Sequence, residues 1–262
     1  MLKKHLSQHL IKDRNILNKM VRLAQVGRDD VVVEIGAGHG DLTRALVEKA
    51  GHVYAIELDT SFRRYLDPLA DQHKNLQIIF GNVLDVPFSQ FSRGKGVKVV
   101  ANIPYKITAP ILFKLIGERS MIISAYLTVQ REIGERIASK PFNRSYGALS
   151  VICQLVAETK ILLYLKPGLF IPPPKVESAY VAMVFKGDGD DVDEDMRDFI
   201  KACFEHKRKY LRQALVRHYG DEGTTSLYES MGFPPSIRAE EIDPERFKTM
   251  YAFLKPRYRD SL

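Results

Sequence analysis

A short stretch in the middle of the chain combines groups that can hold a flat ring bearing an amino group. Asn102, Ile103, Pro104 and Tyr105 directly follow the apolar run 97–101, which is typical of a buried strand. The side-chain oxygen of Asn102 and the backbone carbonyl of Ile103 can together accept both N–H groups of an exocyclic amine. Pro104 fixes the backbone between them, and Tyr105 offers a face on which an unpaired base can stack. The spacing predicts a site for the amino group of an adenine.

A glycine-rich turn after an earlier apolar run predicts the place of a second ligand. Gly36, Gly38 and Gly40 allow the backbone to turn sharply and a ligand to approach closely. The dinucleotide fingerprint requires glycine at position 41, where this chain has Asp41. An acidic residue at a helix N-terminus also repels a pyrophosphate. We therefore expect the turn to bind a ligand without phosphate.

Two polar side chains at neighbouring strand ends narrow the identity of that ligand. Glu57 ends the run 52–58, where a carboxylate can accept hydrogen bonds from both hydroxyls of a ribose. Asn82 follows the run 76–80 and can offer its amide oxygen to the amino group of an adenine. With the glycine turn, these side chains predict a pocket for an adenosine without phosphates, a description that S-adenosylmethionine fits.

The elements that must position these residues form a βαβ pattern. Apolar, β-branched runs occur at residues 31–35, 52–58, 76–80, 97–101, 121–129, 159–165 and 179–185. Helical segments separate the first three runs, which is typical of a largely parallel sheet whose strands are buried on both faces. The last two runs are joined by a proline-rich stretch, so we expect antiparallel neighbours at one edge.

The composition of the chain changes after Phe185. We expect an α/β domain over residues 1–186, a Gly/Asp linker over 187–195 and a small helical domain over 196–262. No apolar run approaches the roughly 20 residues that a membrane helix needs, and no signal peptide is visible. No His/Cys cluster has the spacing of metal ligands, and Cys153 and Cys203 are typical of reduced thiols. We expect a cytoplasmic monomer without a metal.

The distribution of charge indicates an acidic partner. The chain has a formal net charge of +7. Residues 1–28 carry seven Lys/Arg against one acidic residue, and residues 206–218 carry five Lys/Arg and no acidic residue. One such block is typical of a solvated helix face, whereas two favour contact with the phosphate backbone of a nucleic acid.

The chain resembles the ribosomal RNA adenine dimethyltransferases, and most closely their small-subunit branch. The resemblance covers LSQHLIKD (6–13), EIGAGHGDLT (34–43), AIELD (55–59), NIPY (102–105), QREIGERI (130–137), YGALSV (146–151), FIPPPKVESA (170–179), HKRKYLRQAL (206–215) and RAEEI (238–242). It implies a Rossmann-like class I methyltransferase fold with a seven-stranded, mostly parallel sheet and a small all-helical C-terminal domain. It also implies dimethylation of N6 in two adjacent adenosines of the 3′-terminal hairpin loop of small-subunit rRNA, during biogenesis of the small ribosomal subunit.

The resemblance also implies a role for individual residues. His9 and Ile11 would border the cofactor, Gly36 and Gly38 its methionine part, Glu57 its ribose and Asn82 its adenine. Asn102 would lie between the cofactor and the target base, on which Phe170 would stack opposite Tyr105. The N-terminal arm and a helix over 206–218 would contact rRNA phosphates, with Lys207, Arg208, Lys209 and Arg212 as the expected contacts.

Some residues depart from the family pattern, and other functions remain open. Ser7 and Leu10 replace a glycine and a phenylalanine, Asn82 replaces an acid, and Tyr210 replaces a small residue. The alternatives are a large-subunit rRNA dimethyltransferase of the macrolide-resistance type, a DNA adenine methyltransferase and a non-catalytic rRNA-binding assembly factor. The RAEEI tail argues against the first and Ile103 against the second. Intact Glu57, Asn102 and Tyr105 argue against the third.

Overall fold

The computed structural model describes residues 9–92, 94–187, 192–205 and 209–259. Its strands are β1 (Leu10–Ile11), β2 (Val31–Ile35), β3 (His52–Glu57), β4 (Leu76–Phe80), β5 (Val97–Asn102), β6 (Ile122–Gln130), β7 (Ala157–Leu165), β8 (Phe170–Ile171) and β9 (Ser178–Phe185). Its α-helices are α1 (Arg14–Leu23), α2 (Asp41–Val47), α3 (Arg63–Gln72), α4 (Thr108–Gly117), α5 (Arg131–Ala138), α6 (Ala148–Val156), α7 (Glu194–Cys203), α8 (Leu211–Met231) and α9 (Pro244–Arg259). The chain divides into two compact units, Met1–Gly134 with Glu158–Gly187, and Glu135–Ala157 with Asp188–Leu262.

The first unit is built on a seven-stranded sheet in the order β4-β3-β2-β5-β6-β9-β7. The pairs β2–β3, β3–β4, β2–β5 and β5–β6 are parallel, and β9 runs antiparallel to β6. The predicted class I methyltransferase fold is confirmed, as is the expectation that the last two strands are neighbours at one edge. The seven strands match the predicted runs to within two residues at every end.

Burial explains why the first strands read as continuous apolar runs. Val32, Val33, Val53, Val99 and Val100 are all completely buried. Strands of this kind have no solvent face, so apolar and polar residues do not alternate along them.

Strand register brings the predicted site residues to one edge of the sheet. Ile35 lies opposite Ile56 on one side and Ala101 on the other, and Glu57 lies opposite Phe80. The carboxyl ends of these parallel strands therefore meet at the same edge, which is where ligands bind in open α/β sheets.

A separate two-stranded ribbon was not expected from the sequence. In it, β1 pairs antiparallel with β8, with Leu10 opposite Ile171 and Ile11 opposite Phe170. Strands of two residues carry no periodic pattern, and this pair joins segments far apart in the chain. The ribbon brings the N-terminal arm next to the proline-rich segment.

The second unit begins earlier in the chain than the sequence boundaries indicated. Those boundaries left residues 135–157 in the α/β domain, whereas the structure groups them with the C-terminal helices. Helix α6 packs against α7 and α9. The completely buried Tyr146 anchors this packing, since its hydroxyl donates to the carbonyl of Ile242 at 2.8 Å. Six of the nine residues of α6 are buried, so this apolar helix needs partners on more than one side.

The predicted continuous helix over 206–218 is wrong. Helix α7 ends at Cys203 and α8 begins only at Leu211, so Lys209 and Tyr210 precede the helix. Tyr210 has an extended backbone, with φ −64° and ψ 140°. Basic residues have good helix propensity, but propensity is a weak preference that the packing of α7 and α8 overrides here.

Neither cysteine is placed for surface chemistry. Cys153 and Cys203 are free thiols in the interior, and burial raises the pKa of Cys153 to about 12. No helix among the described residues is long and apolar enough to cross a membrane. Within the same residues, no three His, Cys, Asp or Glu side chains converge as they would around a metal ion.

Candidate active site

A cavity of about 200 Å³ lies at the carboxyl edge of the sheet in the first unit. The predicted site residues that line it are His9, Gly36, Gly38, Glu57, Asn82, Asn102, Ile103, Pro104 and Tyr105. They come from the arm and from the ends of four neighbouring strands, so the structure brings these nine residues together around one cavity.

The glycine turn has the backbone geometry that the sequence suggested. Gly36 and Gly38 have φ angles of +81° and +55°, a region that side chains other than glycine rarely adopt. A Cβ atom on Gly38 would lie 2.7 Å from Cδ2 of Leu10, which shows how closely the arm packs on the turn. The arm and the turn together form one wall of the cavity.

Glu57 is a buried carboxylate with both oxygens already in use. Oε2 accepts the N–H of Gly38 and Oε1 accepts that of Asp59, each at 2.8 Å. Burial raises the pKa of Glu57, and the two N–H groups act in the opposite direction. Each oxygen retains a further lone pair, so the carboxylate can still accept hydrogen bonds from two hydroxyl groups.

Glu34 is a buried polar residue next to the site that was not predicted from the sequence to have a role. It is 1% exposed, and its Oε2 accepts the hydroxyl of Thr43 at 2.6 Å. Its Oε1 has no hydrogen-bond partner among the described residues. Burial, with a smaller effect from the charge of Glu57, raises its pKa to about 8. Glu34 borders a second cavity of about 20 Å³, which shares Gly36 and Asn102 with the larger one. The sequence offered one signal for Glu34, because a charged residue inside an apolar run typical of a buried strand is unusual.

Asn82 is engaged differently from the prediction. Its Oδ1 accepts the N–H of Leu84 at 3.1 Å and caps the short 3-10 turn Val83–Asp85. This bond fixes which end of the amide is oxygen, so Nδ2 is the end left for a ligand. The expected acceptor for an adenine amino group is therefore partly occupied, and the side chain is better suited to donate to a ring nitrogen.

The amide of Asn102 is fixed by the N-terminal arm. Its Nδ2 donates to the backbone carbonyl of His9 at 2.7 Å. The remaining end of the amide is Oδ1, so the group that Asn102 can offer is an acceptor, as the sequence predicted. The resemblance implied that His9 borders the cofactor, but the sequence could not predict this contact, because a backbone carbonyl leaves no residue-type signal.

The ring of Tyr105 is held by both the arm and the sheet. Its hydroxyl shares a 2.6 Å hydrogen bond with Oγ of Ser178, and burial raises its pKa. The ring centroid lies 5.5 Å from that of His9, whose Nδ1 is 2.7 Å from the carbonyl oxygen of Pro172. Asn102 and Tyr105 are thus fixed by the same segment of the arm.

Two predicted site residues do not line the larger cavity. Ile11 and Phe170 face each other across the β1–β8 ribbon and are 4% and 2% exposed. Both belong to the hydrophobic core, together with Met20 and Tyr180. The expected stacking of Phe170 on a base is not available in this arrangement, because the ring is enclosed by other side chains. Ile11 borders only the smaller cavity.

The expected RNA-binding residues are not equivalent. Lys207 and Arg208, like Ser7, lie outside the described residues. Lys209 is exposed. Arg212 instead donates from Nη2 to Oδ1 of Asp221 at 2.9 Å and to Oγ1 of Thr225 at 3.1 Å.

Known proteins resemble this chain over nearly its whole length. The family described as "Ribosomal RNA adenine dimethylase" matches residues 1–255. A Prosthecochloris aestuarii protein named "Ribosomal RNA small subunit methyltransferase A" is 35% identical over 256 residues, covering 97% of this chain and 95% of that protein. A protein of the same name from Phenylobacterium zucineum is 36% identical over 242 residues, covering 92% and 84%.

Two solved structures share the fold. A dimethyladenosine transferase from Plasmodium falciparum is 25% identical with a TM-score of 0.82, covering 95% of this chain and 98% of that one. The 23S rRNA methyltransferase ErmE is 21% identical with a TM-score of 0.73, covering 94% and 99%. The likeness to ErmE shows the fold alone.

Proposed function

The chain belongs to the ribosomal RNA adenine dimethylase family, and we propose that it dimethylates N6 of two adjacent adenosines in the 3′-terminal hairpin loop of small-subunit rRNA. The methyl donor in this proposal is S-adenosylmethionine. The observation that carries it is the fixed amide of Asn102, whose Nδ2 is held by His9 so that Oδ1 is the acceptor beside the ring of Tyr105. An exocyclic amine on a flat base complements this pair.

The residues of the cavity fit S-adenosylmethionine. Glu57 would hold the ribose hydroxyls, and Asn82 would donate to the adenine. Glu34 borders the adjoining smaller cavity, and its unpartnered Oε1 would accept the amino group of the methionine part. When bound, S-adenosylmethionine supplies an electrophilic methyl group on a positively charged sulfur.

The residues around the target base act by positioning. Oδ1 of Asn102 and the carbonyl of Ile103 would accept the two N–H groups of the adenine, which favours a geometry in which the nitrogen lone pair faces the methyl donor and is less delocalised into the ring. Tyr105 would hold the base by stacking. The proton released from the methylated nitrogen is strongly acidic, so water suffices to accept it, and orientation with two hydrogen bonds supplies the catalysis.

The choice of the small subunit rests on the relatives. Those named for the small subunit match almost the entire chain, including its C-terminal unit. We further propose that the protein acts as a cytoplasmic monomer on a precursor of the small ribosomal subunit. The net charge of +7 supports a polyanionic partner.

The test is transfer of labelled methyl groups from S-adenosylmethionine to purified small and large ribosomal subunits that lack these marks. Nucleoside analysis should find N6,N6-dimethyladenosine in the small subunit alone. Label in the large subunit would instead identify the protein as a large-subunit rRNA dimethyltransferase of the macrolide-resistance type. Tight rRNA binding without label in either subunit would leave a non-catalytic assembly factor.

A further inference from the structure

The second unit carries an exposed aromatic ring that the proposed reaction does not use. Phe142 is 79% exposed and lies in the loop between α5 and α6. It is the most exposed large hydrophobic side chain among the described residues. A phenylalanine ring in this position gains almost nothing from burial, so packing does not explain its presence.

The backbone at Phe142 is also in an uncommon conformation. Its φ angle is +67°, and Gln25 is the only other described non-glycine residue with positive φ. A bulky residue in the left-handed region costs free energy, and such residues persist where the surrounding structure fixes them. The N–H of Phe142 donates to the carbonyl of Glu240 at 2.8 Å. That bond holds the loop in the strained conformation.

The rest of the loop is anchored at short intervals. Oδ1 of Asn143 accepts the N–H of Ser145 at 2.9 Å, and the N–H of Asn143 donates to the carbonyl of Lys140 at 3.2 Å. Tyr146, at the end of the loop, is completely buried. The ring of Phe142 is therefore presented to solvent by a well-anchored backbone and needs little ordering before it binds a partner.

The chemistry of the neighbouring residues indicates the partner. Lys140 and Arg144 flank the ring in sequence and are exposed. Residues 139–147 contain no acidic side chain, and the acidic residue bonded to the loop, Glu240, holds Phe142 through its backbone carbonyl. An exposed ring between two cations matches the stacking face and the phosphate contacts that single-stranded nucleic acid requires. A protein partner would instead favour a broad apolar patch.

We propose that Phe142 stacks on an unpaired base of the rRNA substrate, with Lys140 and Arg144 contacting the adjoining phosphates. The identity of the RNA rests on the proposed function, whereas the stacking rests on the loop itself. This contact would belong to a different unit of the chain from the residues that line the candidate cavity.

Tryptophan at position 142 gives a direct test, because the chain contains no tryptophan. The F142W protein should lose fluorescence when titrated with protein-free small-subunit rRNA, since a stacked base quenches the indole. Inorganic polyphosphate, which has charges but no bases, should leave the fluorescence unchanged. Binding of rRNA by filter retention without quenching would overturn the proposal.

The F142N variant separates stacking from folding. Asparagine tolerates positive φ, so the variant should have a melting temperature equal to or above the wild type. Its KM for small subunits should rise about tenfold with kcat unchanged, since one stacked base is lost. Q25N relieves the same kind of backbone strain and should leave KM unchanged. A wild-type KM in F142N, or an equal rise in Q25N, would contradict the proposal.

These measurements remain informative if the proposed function fails. If the wild type does not methylate small subunits, the dissociation constant of F142N for the rRNA is compared with that of the wild type. A roughly tenfold weakening supports the stacking contact in either case, and an unchanged constant rejects it.

Discussion

The cavity of the first unit and the basic segment of the second unit hold their polar groups in different ways. In the cavity, Glu57 and Asn102 are fixed by hydrogen bonds to backbone groups at 2.7–2.8 Å. In the basic segment (residues 209–218), Lys209 is exposed, and Arg212 bonds to the side chains of Asp221 and Thr225, which follow the kink at Gly220 in α8. Backbone contacts fix direction, which chemistry on a single atom needs, whereas an exposed cation needs only to be near a phosphate.

The largest effect should follow from removing the fixed acceptor. Asn102→Ala should lower kcat by about 10²-fold or more, because the amine then loses an oriented acceptor. Single-turnover methyl transfer at saturating S-adenosylmethionine measures this. The matched control is Asn15→Ala on the exposed surface of α1, which should retain wild-type activity. A kcat for Asn102→Ala within threefold of the wild type would contradict the assigned role.

A smaller effect should follow from changing one oxygen of Glu57 to nitrogen. In the wild type, each carboxylate oxygen of Glu57 accepts a backbone N–H, one from Gly38 and one from Asp59. In Glu57→Gln, the new NH₂ group must face one of these two N–H groups, and two donors then oppose each other. The dissociation constant of S-adenosylmethionine should rise about 10- to 100-fold, as calorimetric titration would show. Glu48→Gln, at an exposed pair with Arg14, is the control. Equal affinity of wild type and Glu57→Gln would place the ribose elsewhere.

Glu34 should make the stability of the ligand-free protein depend on pH. Because burial raises its pKa from 4.5 to about 8, the stability it allows is complete below pH 4.5 and is lost as pH rises toward 8. The wild type should therefore lose roughly 3–4 kcal/mol relative to Glu34→Gln between pH 5 and pH 8. Denaturant unfolding of both proteins at the two pH values isolates this difference. Parallel pH profiles would show that Glu34 is ionised throughout.

The smallest effects should distinguish two cations of the second unit. Lys209→Ala should reduce the slope of log Kd against log salt for rRNA by about one. Arg212→Ala should change that slope less, because Asp221 and Thr225 already engage its guanidinium. Its exposed ion pair contributes at most about 1 kcal/mol to folding. The reverse order of the two slopes would show that Arg212 leaves Asp221 to bind phosphate.

The sequence predicted those parts of the molecule that rest on local pattern. The strands were visible because each is a continuous apolar run, and Glu57 and Asn102 were visible because they end such runs. The β1–β8 ribbon was not visible, since two-residue strands have no period. The placement of 135–157 was missed because an apolar helix does not show which helices will cover it.

The hydrogen-bond partner of a polar side chain could not be predicted where a nearby backbone N–H competes with the ligand for it. The Oδ1 of Asn82 was expected to face an adenine, and in the structure it caps a turn at the N–H of Leu84. Asparagine often bonds to the backbone two residues on, and nothing in the residue type separates that use from ligand binding. Phe170 is similar, because an aromatic residue near a site serves equally well as core.

The bond between Asn102 and the carbonyl of His9 has a consequence for how mutations act on this protein. The acceptor is main chain, so almost any amino acid at position 9 supplies it, provided that the arm keeps its path. The orientation of the Asn102 amide therefore tolerates substitution at position 9, but it is sensitive to insertions or deletions that shift the arm. The side chain at position 9 therefore affects the site through its ring contact with Tyr105 and its bond to Pro172, and not through the orientation of Asn102.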